Sequence, residues 1–159
     1  MKNLISSFEE RFVRLHDRSF AFVRDIPLEK LYWQPRAVTG GLPVYSCGEY
    51  ILRSAAAIEQ TFGGLTRKLW DDPFEWTLPE ALYDNSKILE YLSEVEQTRK
   101  QGFELFESDN VLVKEIPAPA KIKSIFELLL ETISRAENFQ GRAFATFRLF
   151  SDEKLPRWF

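Results

Sequence analysis

The chain has 159 residues, 45% of them apolar and 28% charged, with a formal net charge of −3. That size supports one domain, residues 1–159, with a sizeable core, and the composition is that of a folded globular protein. The charge gives no electrostatic footprint for nucleic acid or an anionic membrane, and the single cysteine, Cys47, excludes an intrachain disulfide and a cysteine-cluster metal site.

The N-terminal MKNLISSFEERF has no apolar run of the signal-peptide kind, and no segment approaches the roughly 20 apolar residues of a membrane span. The expected location is the cytoplasm. A first helix is expected from Asn3 or Ser7 to Arg24, with Phe8, Phe12, Leu15, Phe20 and Val23 forming its apolar face, ending before Pro27. The link IPLEKLYWQPRAVTGGLP holds three prolines and a Gly-Gly pair, which makes it a loop with room for one helical turn. A second helix runs from Cys47 to Trp70, its stripe being Ile51, Ala55, Ile58, Phe62, Leu65 and Leu69. Gly63-Gly64 weakens it late and is a place for a kink or an end.

The following loop, DDPFEWTLPEALYD, is rich in aromatics and proline. A third helix starts near Asn85-Ser86 and reaches about Phe106, with Ile88, Leu92, Val95, Phe103 and Phe106 inward. ESDNVLVKEIPAPAKIK carries Pro117 and Pro119 and is expected to be extended. A fourth helix runs from Ser124 to about Leu149, before the tail SDEKLPRWF. Three helix starts carry S-x-x-E, at Ser7 to Glu10, Ser46 to Glu49 and Ser124 to Glu127, the pattern in which serine and glutamate satisfy backbone N–H groups. Four helices with long connections after the first, second and third predict an all-α four-helix bundle, against the rival of an irregular all-α domain.

Several chemistries are missing. His16 is the only histidine, so no histidine cluster can bind a metal, and there is no phosphate-binding glycine loop and no C-x-x-C. His16 sits beside Leu15 and Phe12 and reads as a helix-flank residue rather than a catalytic base. Cys47, at a helix N-terminus, reads as a small buried side chain rather than a nucleophile. Glu59, Glu94, Glu131 and Glu137 invite a di-metal reading, but bundle di-iron sites use Glu-x-x-His and this chain has none. Trp70, Phe74, Trp76, Trp158 and Phe159 fall in loops or the tail, where they either cap the bundle ends or mark an interface.

Over nearly its whole length the chain resembles the DinB-like (YfiT-like) metalloenzyme superfamily. The resemblance lies in IPLEKLYWQP, SCGEYILRSAAAIEQTF and IFELLLETISRAENFQGRAFATFRLF, in that order. Ile26-Pro27, Leu31, Trp33 and Pro35 fit the family's link after helix one. Glu127-Leu128-Leu129, Gly141 and Phe147-Arg148-Leu149 fit its last-helix signature. The family holds its metal with three histidines, one on helix two and two spaced four apart on helix four. Aligned on Gly141, the helix-four pair falls at Arg135 and Phe139, and the helix-two ligand at Arg53 within one position. None of the three offers a metal a lone pair, since arginine stays protonated and phenylalanine has no donor.

The resemblance therefore implies a bundle, commonly dimeric, that has lost its metal site and needs no cofactor. If Arg53 and Arg135 point inward they must be paired, with Glu59 and Glu137 the nearest candidates and Glu131 and Glu49 also within a turn. Alternatively they face a pocket for a small carboxylate or phosphate, or Arg135 lies outside on a polar face with Glu131, Asn138 and Arg142. Three functions follow: a non-catalytic structural or interaction protein, with a second copy of the chain as partner in a homodimer; a metal-independent binder or enzyme for a small anion, clamped by Arg53 and Arg135; or a metal-dependent hydrolase or thiol transferase of the family kind, with His16 and carboxylates as its only ligands.

Overall fold

The apolar stripes become the facing sides of long helices in the structure, a computed structural model that describes residues 1–35, 40–41, 44–73 and 84–157. Among the described residues the elements are α1 (Asn3–Asp25), a single-turn α2 (Leu28–Leu31), α3 (Cys47–Arg67), α4 (Asn85–Glu104), a 3-10 turn (Asp109–Val113), strands β1 (Glu115–Pro117) and β2 (Ile122–Ser124), and α5 (Ile125–Arg148). α3 packs most extensively on α5 and then on α4, while α1 packs on α4 and more lightly on α5. The four long helices thus follow the ring order α1, α4, α3, α5, with α1 across the core from α3. The result is an all-α four-helix bundle.

Phenylalanines fill the middle. Phe12 of α1 meets Phe62 of α3 edge-on at 5.3 Å, and Phe103 of α4 lies 5.4 Å from Phe62 and 5.8 Å from Phe12. Such pairs contribute about 0.5–1.5 kcal/mol each beyond their burial. In α1 the core face is Ile5, Phe12, Leu15 and Phe22, two pairs spaced seven apart, while Phe8 and Phe20 are only half-buried at its edge. In α4 the expected residues Ile88, Leu92, Val95 and Phe103, with Phe106 just beyond its end, are all buried.

Two of the three S-x-x-E motifs cap helices. Ser46 accepts from the Glu49 N–H at 3.2 Å and Ser124 from the Glu127 N–H at 3.1 Å. Ser7 lies inside α1 instead, its hydroxyl donating to the Asn3 carbonyl. The cap of α1 comes from far along the chain: Asp109 accepts from the N–H groups of Leu4 and Ile5, both at 3.1 Å. Burial pushes the Asp109 carboxyl up, but these bonds and the amino terminus outweigh it and hold it below its ordinary value.

α3 ends at Arg67, earlier than its stripe suggests, and Leu69 is exposed. Gly63-Gly64 stays helical and buried. Lys68 takes the left-handed conformation, φ 57°, and the N–H groups of Lys68 and Leu69 bond back to Gly64 and Gly63. This is a Schellman-type stop on lysine rather than glycine. The stretch before α5 is not simply extended. It makes the 3-10 turn first, then a hairpin whose turn is closed by the Ala118 N–H bonding to the Lys121 carbonyl, with Pro119 at the second turn position.

Candidate functional site

Small residues let α3 and α5 approach closely. Ser54 donates to the Ala136 carbonyl at 2.7 Å, Thr61 and Thr132 hydroxyls meet at 2.6 Å, and the Cys47 thiol reaches the Ala143 carbonyl at 3.4 Å. Cys47 is fully buried, and desolvation pushes its thiol up to about 12, so the thiolate is inaccessible near neutral pH. His16 is half-buried beside Phe20. Burial lowers its pKa even though the Glu96 carboxylate opposes that shift.

Along the outer flank of the α3–α5 contact, Arg53, Arg135 and Phe139 line one small cleft with Ala56, Ala57 and Asp72. The three positions that the resemblance assigned to metal ligands therefore converge. Arg53 is held twice. Its Nη2 donates to Glu49 Oε1 at 3.0 Å, and its guanidinium lies 4.1 Å from the centre of the Tyr45 ring. Tyr45 contacts Tyr50, whose ring stands 6.5 Å from Phe139. Arg135 is exposed on one polar face with Glu131, Asn138 and Arg142, and its Nη1 makes a 3.4 Å bond to Gln60 Oε1.

Arg53 and Arg135 do not pair with Glu59 or Glu137. At 100° per residue, Glu59 lies about 240° around α3 from Arg53, and Glu137 about 200° around α5 from Arg135. Glu59 instead accepts from the Tyr91 hydroxyl of α4 at 2.6 Å, and burial, with the Glu59 charge behind it, pushes that hydroxyl up. Glu137 faces α1, where Arg11 grips it with Nε at 2.8 Å and Nη2 at 2.9 Å. Glu131 is paired with Lys123. Of the alternatives the sequence left open, Arg135 takes the exposed polar face, and of the candidate carboxylates Glu49 is the one that pairs, with Arg53.

Among the described residues the buried arginines are others. Arg99 is 1% exposed between Glu9, at 2.9 Å, and Glu96, at 2.6 Å. Arg18 donates to Gln140 Oε1 at 2.9 Å, and Gln140 donates to Ser19 and to the Leu15 carbonyl. Each sits on an apolar stripe: Arg99 fills the gap between Val95 and Phe103, and Arg18 that between Leu15 and Phe22. That interruption is the signal the sequence carried for them.

Next to the cleft, a groove of about 270 Å³ runs between α3, α5 and the hairpin turn. Arg135, Gln60, Trp70, Thr61, Thr132 and Lys123 are among its walls. Gln60 joins two of them, donating through Nε2 to the Trp70 carbonyl at 3.0 Å while its Oε1 accepts from Arg135. Trp70 lies on Gly64, where a β-carbon would stand 2.1 Å from the indole Cε3. Phe74, Trp76, Trp158 and Phe159 fall outside the described residues. Among the described residues no three His, Cys, Asp or Glu side chains come together as a metal site, and no helix is long and apolar enough to cross a membrane.

A scan against protein-family models finds no match, and neither does a search of curated proteins. Among the solved structures that match, a DinB-like protein, YjoA, from Bacillus subtilis superposes with a TM-score of 0.71 over 96% of each chain at 13% identity. The fold is DinB-like. At that identity the likeness concerns the backbone path, and the cleft of the DinB-like bundle must be read from its own side chains.

Proposed function

We propose that this DinB-like bundle acts without a metal, as a non-catalytic structural or interaction protein of the cytoplasm. One observation carries the reading. Arg53, Arg135 and Phe139, the positions aligned with the family's histidines, line a single cleft and bring it two cations and a ring. Among the described residues of the cleft only Asp72 is a metal-ligating type, and that donor set does not fit a divalent cation. The bond from Arg53 to Glu49 and its stacking on Tyr45 serve as local cross-links, about 0.3–0.5 kcal/mol for an i, i+4 pair and about 0.5–1 kcal/mol for the ring contact. Cys47 is protonated and enclosed, and His16 stands on α1 facing α4, so neither offers the cleft a nucleophile or an imidazole base.

Elemental analysis of the purified chain, with thermal melting before and after chelation, tests this. Metal well below one ion per chain and an unchanged melting temperature are expected. Stoichiometric nickel, zinc or manganese whose removal lowers the melting temperature overturns the proposal. The second reading, a small anionic ligand, is favoured by Arg135 in particular, which makes no ion pair among the described residues. Arg53 supports it less, because Glu49 already holds its guanidinium.

A further inference from the structure

We propose that the 270 Å³ groove beside the cleft takes a small organic carboxylate, with the carboxylate on the Arg135 guanidinium and the apolar body against Trp70. It rests on the metal-free reading in one respect: a divalent cation in the adjoining cleft would repel Arg135.

The charge pattern of the groove selects an anion at one end only. On α5, Glu131 stands four residues before Arg135, the spacing and order that favour an intrahelical pair. Lys123 of β2 takes Glu131 instead, and Arg135 turns across the groove to Gln60. A 3.4 Å bond to a neutral amide oxygen is long for an N–H donor, and a guanidinium has five donors to fill. Lys123, the other cation among the described residues of the groove, is already paired with Glu131.

The floor excludes an anion. Thr132 donates its hydroxyl proton to the Leu128 carbonyl at 2.7 Å, so in the 2.6 Å contact with Thr61 it is Thr61 that donates. Both hydroxyl protons are used, and only oxygen lone pairs remain toward the groove. A carboxylate placed there would meet acceptors, which leaves the Arg135 end. A planar guanidinium matches a carboxylate bidentately, whereas a phosphate with nearly two charges calls for more than one available cation.

The apolar half has a built wall. Trp70 is seated because residue 64 is glycine, and Gln60 holds the Trp70 backbone, so one amide side chain sets both Arg135 and the tryptophan segment. A groove of about 270 Å³ is at the lower limit of small-molecule pockets, roughly 300–1,000 Å³, which suits a ligand of one ring.

Calorimetric titration of the full chain with benzoate, benzamide and inorganic phosphate tests the proposal. Benzoate should bind, with benzamide and phosphate about tenfold or more weaker, and Arg135→Ala should weaken benzoate by about tenfold or more, the scale of a charge-assisted hydrogen bond. Arg142→Ala, on the same exposed face but outside the groove, should leave benzoate affinity unchanged. The proposal is overturned by benzoate that does not bind, that binds Arg135→Ala equally well, or that is matched by benzamide or phosphate. Because metal content is read separately, failure here and failure of the metal-free reading are distinguishable.

Discussion

Replacing Gly64 with alanine sets two effects of known sign against each other. Within a helix the exchange favours alanine by about 1 kcal/mol, because glycine loses more backbone freedom on folding. Against this, the new β-carbon would stand 2.1 Å from Trp70 Cε3 and 2.2 Å from Cδ2, far inside contact distance. The indole must lift off α3, and overpacking of this kind costs about 1–3 kcal/mol. The half-buried indole has somewhere to go, so the net should be a loss of up to about 2 kcal/mol. With Trp70→Ala in the background the clash is gone and only the propensity gain is left, so the same Gly64→Ala change should stabilise by up to about 1 kcal/mol. The assay is urea unfolding of the four chains of this cycle by circular dichroism, with tryptophan fluorescence reporting exposure of the indole. Equal effects of Gly64→Ala in the two backgrounds would refute the seating of Trp70 on residue 64, and with it the wall of the groove.

Two further outcomes follow from buried and capping charges. Arg99→Ala should cost roughly 3–5 kcal/mol in urea unfolding, since it strands Glu96, 13% exposed, without its partner. Arg99→Met with Glu96→Gln should recover much of that loss, and a loss below about 1 kcal/mol for the single variant contradicts a paired internal cation. Asp109 is a carboxyl whose folded pKa is depressed, so its contribution is present above its unfolded value, near 4, and is lost as pH falls through the lower folded value. Asp109→Asn should therefore be less stable than the parent at about pH 6, and the gap should narrow as pH falls below about 4. A gap that persists undiminished in acid counts against the charged cap.

The helices were legible because their signals are local. Stripes such as Ile88, Leu92 and Val95 need only a register, and the serine caps at Ser46 and Ser124 need only three residues. Convergence of Arg53, Arg135 and Phe139 could be anticipated through the family resemblance, since a shared backbone path carries aligned positions together. The partners could not. Helical geometry already turns Glu59 and Glu137 away from those arginines, and which carboxylate each arginine meets depends on distant elements. Lys123 diverts Glu131 from the hairpin, and Glu137 answers to Arg11 across the bundle. Trp70 and Gln60 were hidden for a related reason. Their joint role depends on where α3 stops, and a left-handed Lys68 in place of the usual glycine gives no sequence warning of it.

The bond that caps α1 also has a history in time. α1 is translated before the other described helices, yet the carboxylate that closes its N-terminal turn lies 105 residues downstream of Leu4. Until most of the chain has been made, the N–H groups of Leu4 and Ile5 have only water as partner, and that turn frays. Closing so long a loop adds little entropy cost beyond that of a shorter one, so the delay is set by synthesis rather than by the search. The earliest of the described helices is thus closed only once the segment leading into α5 has arrived.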